Sequence, residues 1–486
     1  MRNNISIYDI LKYCNFLIFF AMIGVYYSNG NNLYVDQYTI VLNFVQIVIT
    51  HFVILDAKRN SNSLLLVLAY VIIFHFQLRI VSLNYTEYSL IFSSLLSNVT
   101  PSKINYVLSF VILMYFFLFI GIRYTYSYKK QDIINQDNKL SSNASRNILF
   151  FVYGALALDL LRLFDVPVIS QIVAVISTFF FNFLFMLLLT VCYFIKYWKK
   201  VTKKYKRLFV FLILLYVLIY TGMGIRSTIY AVILMLFFCI CASNYVEVRA
   251  KYILILSCVV PIMVIGFLFA TLTRQMDMQK SSFTEKVDIV SKLSEQFDDS
   301  NIKLLLSPIF NRIGYFDFAV QLILDKNHLE NFLSPVNYSK SVVDNLLTPG
   351  FNIYDMPRMS LVLDKCYLYN GTPNIKKYHL DEDYLSSGMS LFGEAYLFLD
   401  KHGCILFTFF IGLLFKNFYK KSLKTDEIHN LWQRAILLSL FYSVLNSYGL
   451  DWTIIDVVSY YINYRIFKKL VYNKIKSQTV KIRCLN

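Results

Sequence analysis

Three short stretches of this 486-residue chain combine charge with glycine in ways that can do chemistry. The first runs from Gly222 through Met223, Gly224, Ile225, Arg226 and Ser227 to Thr228. Ser227 is placed to cap the helix that follows it. A helix start offers free backbone N–H groups and the positive end of a dipole. Arg226 adds a permanent charge on a planar fork. Together they suit a phosphate group at a membrane boundary. The plainer alternative is that Arg226 snorkels to lipid headgroups and the glycines only turn the chain.

The second stretch is Asn311 to Asp317. On a helix Arg312 and Tyr315 share a face, whereas Asp317 points toward the side of Gly314 and Gln321, so Arg312 and Asp317 do not make a simple ion pair. Arg312 suits a second phosphate or a sugar acid, and Asp317 suits a base or a hydroxyl acceptor. The alternative is the polar face of a surface helix. The third stretch, Phe392 to Gly403, carries Glu394 just before a long apolar run. Partial desolvation there would help Glu394 act as a general base, and Gly403 allows a turn into the membrane. Arg274 and Arg358 are further candidates for an anionic substrate, and His379 and His402 for a base. Asp381, Glu382 and Asp383 match the Asp-X-Asp of metal-dependent glycosyltransferases only superficially, because no nucleotide-binding domain accompanies them. No metal site is expected. Arg79, Asp159 and Asp456 lie in or near apolar runs, where charge is costly and tends to be paired or functional; Asp159 is spaced to pair with Arg162. His51 and His75 read as satisfied bundle residues.

The elements that must position these groups are membrane spans. Apolar residues make up 57% of the chain, and they come in long runs. Runs of about 18 or more apolar residues read as spanning helices. Spans are expected at 10–28, 38–55, 64–81, 105–122, 147–161, 167–195, 208–223, 227–246, 252–272, 402–419, 431–448 and 452–467. With the N-terminus inside, most Lys and Arg fall in cytoplasmic segments, and the short outer loops hold only Lys103, Arg162 and Arg226. That asymmetry sets both termini in the cytoplasm. The basic cluster at 196–207 is its clearest marker. The net charge of +17 therefore reads as orientation signal, and nucleic acid is not an expected partner. The first span lacks a small-residue cleavage site and reads as a retained helix.

The chain divides into spans one to nine (1–272), a large extracytoplasmic loop (273–401), spans ten to twelve (402–467) and a cytoplasmic tail (468–486). The loop holds more than half of the chain's 30 acidic residues and is where function is expected. Glu285–Phe297 and Ile309–Leu324 read as amphipathic helices and Ser390–Asp400 as a short helix entering the tenth span, while 331–385, with four prolines, reads as irregular. The eight cysteines form no framework.

This layout resembles the Wzy-type oligosaccharide repeat-unit polymerases of O-antigen and capsule synthesis. The resemblance covers the topology, the turn Gly224-x-Arg226-Ser227, the stretch Arg312-x-Gly314-Tyr315-x-Asp317, and the helix Gly393-Glu394-x-Tyr396. It implies an all-α, GT-C-like membrane fold with about twelve transmembrane helices. It implies transfer of a growing glycan from undecaprenyl diphosphate onto a lipid-linked repeat unit at the outer face of the bacterial inner membrane, without a cofactor. Its partners would be the lipid-linked oligosaccharide, membrane lipid, a chain-length regulator and a flippase. Glu394 and Asp317 would be catalytic. Arg226, Ser227, Arg274, Arg312, Tyr315, Arg358, Tyr396 and His402 would bind diphosphate or glycan. The arginines would take the place of a metal ion. The alternatives are an O-antigen ligase, which shares the carrier and the topology, and a non-enzymatic lipid-linked oligosaccharide flippase or transporter.

Overall fold

The computed structural model describes residues 4–28, 34–85, 99–123, 144–161, 173, 175–222, 227–243, 247–249, 315–347, 353–368, 389–423, 428–447 and 449–483. The expected ninth span, the Glu285–Phe297 stretch, Arg162, Arg226, Arg274, Arg312, His379 and Asp381–Asp383 lie outside these residues.

Nearly every described residue is helical. Seven helical runs are long and apolar enough to cross a membrane. They are α1 (Ile7–Ser28), α2 (Gln37–Asn60), the run Ser63–Leu83, α5 (Pro101–Arg123), α6 (Ala144–Leu161), the run Ile176–Tyr197 and a 32-residue helix, Leu391–Ser422. The Ser63 run consists of α3 (Ser63–Val71), a π-helical turn Ile72–Gln77, and α4 (Leu78–Tyr85). Helices also occupy four other stretches expected as spans: α8 (Lys203–Gly222), α9 (Ser227–Ala242), α15 (Ile428–Leu445) and α16 (Leu450–Arg483).

Local chemistry sets the ends. Asp36 and Thr39 form a reciprocal capping box at the start of α2. The expected single span 167–195 is broken instead. A π-turn at Ile176–Phe180 ends at a non-helical Phe181, and Asn182 caps a new helix, α7 (Phe183–Tyr197), by accepting from the Phe185 N–H at 3.2 Å. The side chain that starts the new helix explains the break.

Four contacts define the two ends of the bundle. Strand β1 (Asn4–Ser6) pairs antiparallel with β2 (Glu247–Arg249), and Lys58 near the end of α2 bonds Asp9 at 3.1 Å. The chain start, the end of α2 and the segment after α9 therefore share one end of the bundle. At the other end, Asp36 accepts from Asn105 at 2.9 Å, and the hydroxyls of Tyr106 and Tyr396 meet at 2.8 Å. The starts of α2, α5 and the Leu391–Ser422 helix, α14, thus lie in one layer. Strand β3 (Met389–Ser390) precedes α14 and pairs with β4 (Asn446–Ser447), the link between α15 and α16. Between the faces α14 crosses α5 in close contact. A Cβ on Gly412 would sit 2.6 Å from the Leu118 carbonyl oxygen, so only a residue without a side chain fits there.

Two helices occupy ground that the prolines led us to expect as irregular. They are α12 (Pro335–Leu347) and α13 (Met359–Leu368). Pro335 is the first residue of α12, where a missing N–H costs nothing. Ser334 supports that start, accepting from Tyr338 N–H at its carbonyl and from Asn337 N–H at its hydroxyl. The turn into the tenth span, which interrupts α14, also differs from expectation. It falls at Asp400 (φ 56°, ψ −168°), not at Gly403, and Asp400 pairs with Lys326 of α11 (Lys326–Leu329).

Candidate functional site

The site is built on α10 (Tyr315–Leu324), within the stretch expected as an amphipathic helix. All eight residues from Phe316 to Ile323 are buried. Two contacts hold α10 in place. Asp317 accepts from Arg79 of α4 through both oxygens, at 2.9 and 2.7 Å, and the Arg79 Nη1 also donates to Ser82. Both partners are essentially fully buried. The second contact is steric. A Cβ on Gly393 would lie 2.7 Å from Leu322 Cδ1 and 3.3 Å from Ala319 Cα, so glycine lets α10 settle against the start of α14. That packing buries the next residue, Glu394, to 1% exposure.

Glu394 is held from two sides. The Tyr338 hydroxyl donates to its Oε1 at 2.5 Å, and the Leu450 backbone N–H donates to the same oxygen at 3.0 Å. Among the described residues no hydrogen bond reaches Oε2. Burial, and then the negative charge of Glu394 and Asp451, raise the pKa of the Tyr338 phenol well above its ordinary value, so it remains a donor.

A second buried carboxyl, Asp451, stands one residue beyond Leu450. Its Oδ2 accepts from the Ser341 hydroxyl at 2.7 Å and from the Met359 N–H at 3.0 Å. Room for its Oδ1 comes from Gly449, where a Cβ would be 2.5 Å away and where φ is +129°. Glycine alone adopts that backbone readily.

Helix α12 arranges much of this from one stripe. Tyr338, Ser341 and Asp344 recur every third residue and so share a face. Tyr338 reaches Glu394 and Ser341 reaches Asp451. Asp344 accepts from the backbone N–H groups of Ile353, Tyr354 and Met356, at 2.8 to 3.2 Å. This anchors the segment that delivers Arg358, whose guanidinium lies 5.7 Å from the Trp452 ring.

Of the residues expected at a site, Glu394 and Arg358 are brought into this cluster. Asp317 serves it from behind, locked to Arg79. Tyr315 packs edge-on to His75 at 4.9 Å, and the His75 Nε2 meets the hydroxyls of Tyr230 and Tyr442 at 2.7 and 3.1 Å. His75 is thus held in the bundle, as its burial in an apolar run suggested. Tyr396 faces Tyr106, and His402 is exposed on α14. The Ser227 backbone starts α9; its side chain lies outside the description. Asp159 accepts from the Tyr220 hydroxyl, and Asp456 from Ser443 at 3.1 Å. Sequence reading missed Tyr338, Ser341, Asp344 and Asp451. The signals were a glycine two residues before an acid at a helix start, and a three-residue polar repeat. Among the described residues, no three His, Cys, Asp or Glu side chains are grouped to share a metal ion.

No protein-family model, no curated protein and no solved structure matches the chain.

Proposed function

We propose that this chain is a polysaccharide polymerase of the Wzy type, with about twelve spans in a GT-C-like arrangement, at the inner membrane of a bacterium. It would transfer a glycan from undecaprenyl diphosphate onto a hydroxyl of a lipid-linked repeat unit on the outer face. The observation that carries the reading is Glu394. This buried carboxyl has one oxygen tied by two donors and, among the described residues, no hydrogen bond at the other, and it stands beside a second carboxyl at the end of the bundle opposite the β1–β2 pair.

In this reading Glu394 Oε2 takes the proton of the acceptor hydroxyl. The hydroxyl oxygen bonds the anomeric carbon, and the bond from that carbon to the diphosphate breaks. The leaving diphosphate keeps the electron pair. Arg358, with Arg226, Arg274 and Arg312, would offset its growing negative charge. Of the two acids expected to be catalytic, Asp317 has both oxygens occupied by Arg79, which favours Glu394 as the base.

The test is a strain that lacks the gene, complemented with Glu394→Gln. The expected result is correctly inserted protein with single repeat units accumulating on the lipid. Normal-length chains from this variant would overturn the role. Full-length chains on the carrier that fail to reach the cell surface would identify a ligase instead.

A further inference from the structure

A cavity of about 370 Å³ opens between α2 and α5, away from the carboxyl pair. It lies at the β1–β2 face, because α2 ends there. Spacings of three and four residues bring one stripe of each helix to it: Phe52, Asp56 and Arg59 from α2, and Phe116, Phe119 and Arg123 from α5. The walls are apolar and open outward, with Phe52 at 58% and Phe116 at 38% exposure. On a helix that crosses a bilayer, such residues face acyl chains. In a bilayer the polar end, beside the end of α2, would sit at the depth of a headgroup.

The charges at that end are specific. Arg59 is exposed. Arg123 lies over the Phe119 ring at 5.9 Å and approaches Asp56 Oδ1 through Nε at 3.4 Å. Asn60 donates to the same oxygen at 3.1 Å. The other oxygen, Asp56 Oδ2, is buried without a partner among the described residues. A buried carboxylate oxygen of this kind calls for a donor, preferably a charged one. The site therefore presents two guanidinium groups for an anion and one carboxylate oxygen for a cation, at the foot of an apolar slot.

We infer that this cavity binds a phospholipid whose headgroup carries a phosphate and a primary ammonium, a phosphatidylethanolamine. The phosphate sits between Arg59 and Arg123, the ammonium donates to Asp56 Oδ2, and an acyl chain runs along Phe52 and Phe116. An anionic headgroup of the glycerol type satisfies the arginines but brings no cation to Asp56. A choline headgroup brings charge but no N–H to donate.

Native mass spectrometry of the purified, delipidated full chain tests this. The probes are phosphatidylethanolamine, phosphatidylglycerol and phosphatidylcholine with identical acyl chains. Ethanolamine lipid is expected to bind about tenfold more tightly than either of the others, the worth of one charge-assisted hydrogen bond. Asp56→Asn should abolish that preference and leave residual binding of all three. Arg59→Gln, at an exposed position where folding is not at stake, should weaken all three. Equal binding of the three lipids by the unaltered chain overturns the inference, as does an Asp56→Asn variant that keeps the preference or an Arg59→Gln variant that binds all three as tightly as before.

Discussion

Arg79 and Asp317 stand 238 positions apart in the chain and exchange two hydrogen bonds inside the bundle, at 2.9 and 2.7 Å. The pair fixes α10, and α10 supports Gly393 and Glu394. Removing one partner leaves an uncompensated buried charge, which costs about 3–5 kcal/mol. Arg79→Leu and Asp317→Leu should each lower the thermal midpoint in detergent sharply. The double variant should recover most of that loss, because a buried pair replaced by apolar residues is nearly neutral. Polymer made by the double variant would show that Asp317 positions and does not react. A thermally stable double variant without polymer would return Asp317 to the chemistry.

A close approach predicts a compensating pair. Gly393→Ala drives a methyl group into Leu322 and should cost about 1–3 kcal/mol. Leu322→Ala removes the obstructing atoms and should rescue Gly393→Ala in part, measured as a non-additive change in thermal midpoint. Additive losses would mean that the two helices adjust by moving apart.

Tyr338 gives a pH signature. Tyr338→Phe removes a donor to a buried carboxyl and should cost about 1–3 kcal/mol at neutral pH. In the folded chain the phenol titrates well above its ordinary value of 10.0. A raised folded pKa contributes stability that is complete below the unfolded value and is lost as pH rises past it. The gap in thermal midpoint between the unaltered chain and Tyr338→Phe should thus hold steady up to about pH 10 and narrow above it. A gap that stays constant into alkali would place the phenol outside this hydrogen bond.

If arginines supply the charge that offsets a leaving diphosphate, a chelator should leave polymerisation by purified protein unchanged. Loss of activity in chelator, restored by Mn²⁺, would make the reaction metal-dependent.

Much of this arrangement was legible in the residues, and the missing parts have physical causes. Long apolar runs read as helices because a backbone in lipid must satisfy its own hydrogen bonds. Glu394 stood out because it precedes such a run. Arg79 and Asp317 were each conspicuous, yet their partnership depends on tertiary packing that local spacing cannot express. The prolines of 331–385 read as breakers, although Pro335 begins a helix. Once that helix was missed, Tyr338, Ser341 and Asp344 had no common face to reveal them. Asp451 escaped for a similar reason, since it looked like an ordinary acid in the first turn of a helix.

The single stripe on α12 has one more consequence. Its three polar side chains grip Glu394, Asp451 and the strand of backbone that carries Arg358, so a small roll of that one cylinder would release all of them at once. The two acids and the segment leading to the arginine are accordingly held from one helix. Damage to any one grip should be felt at the other two.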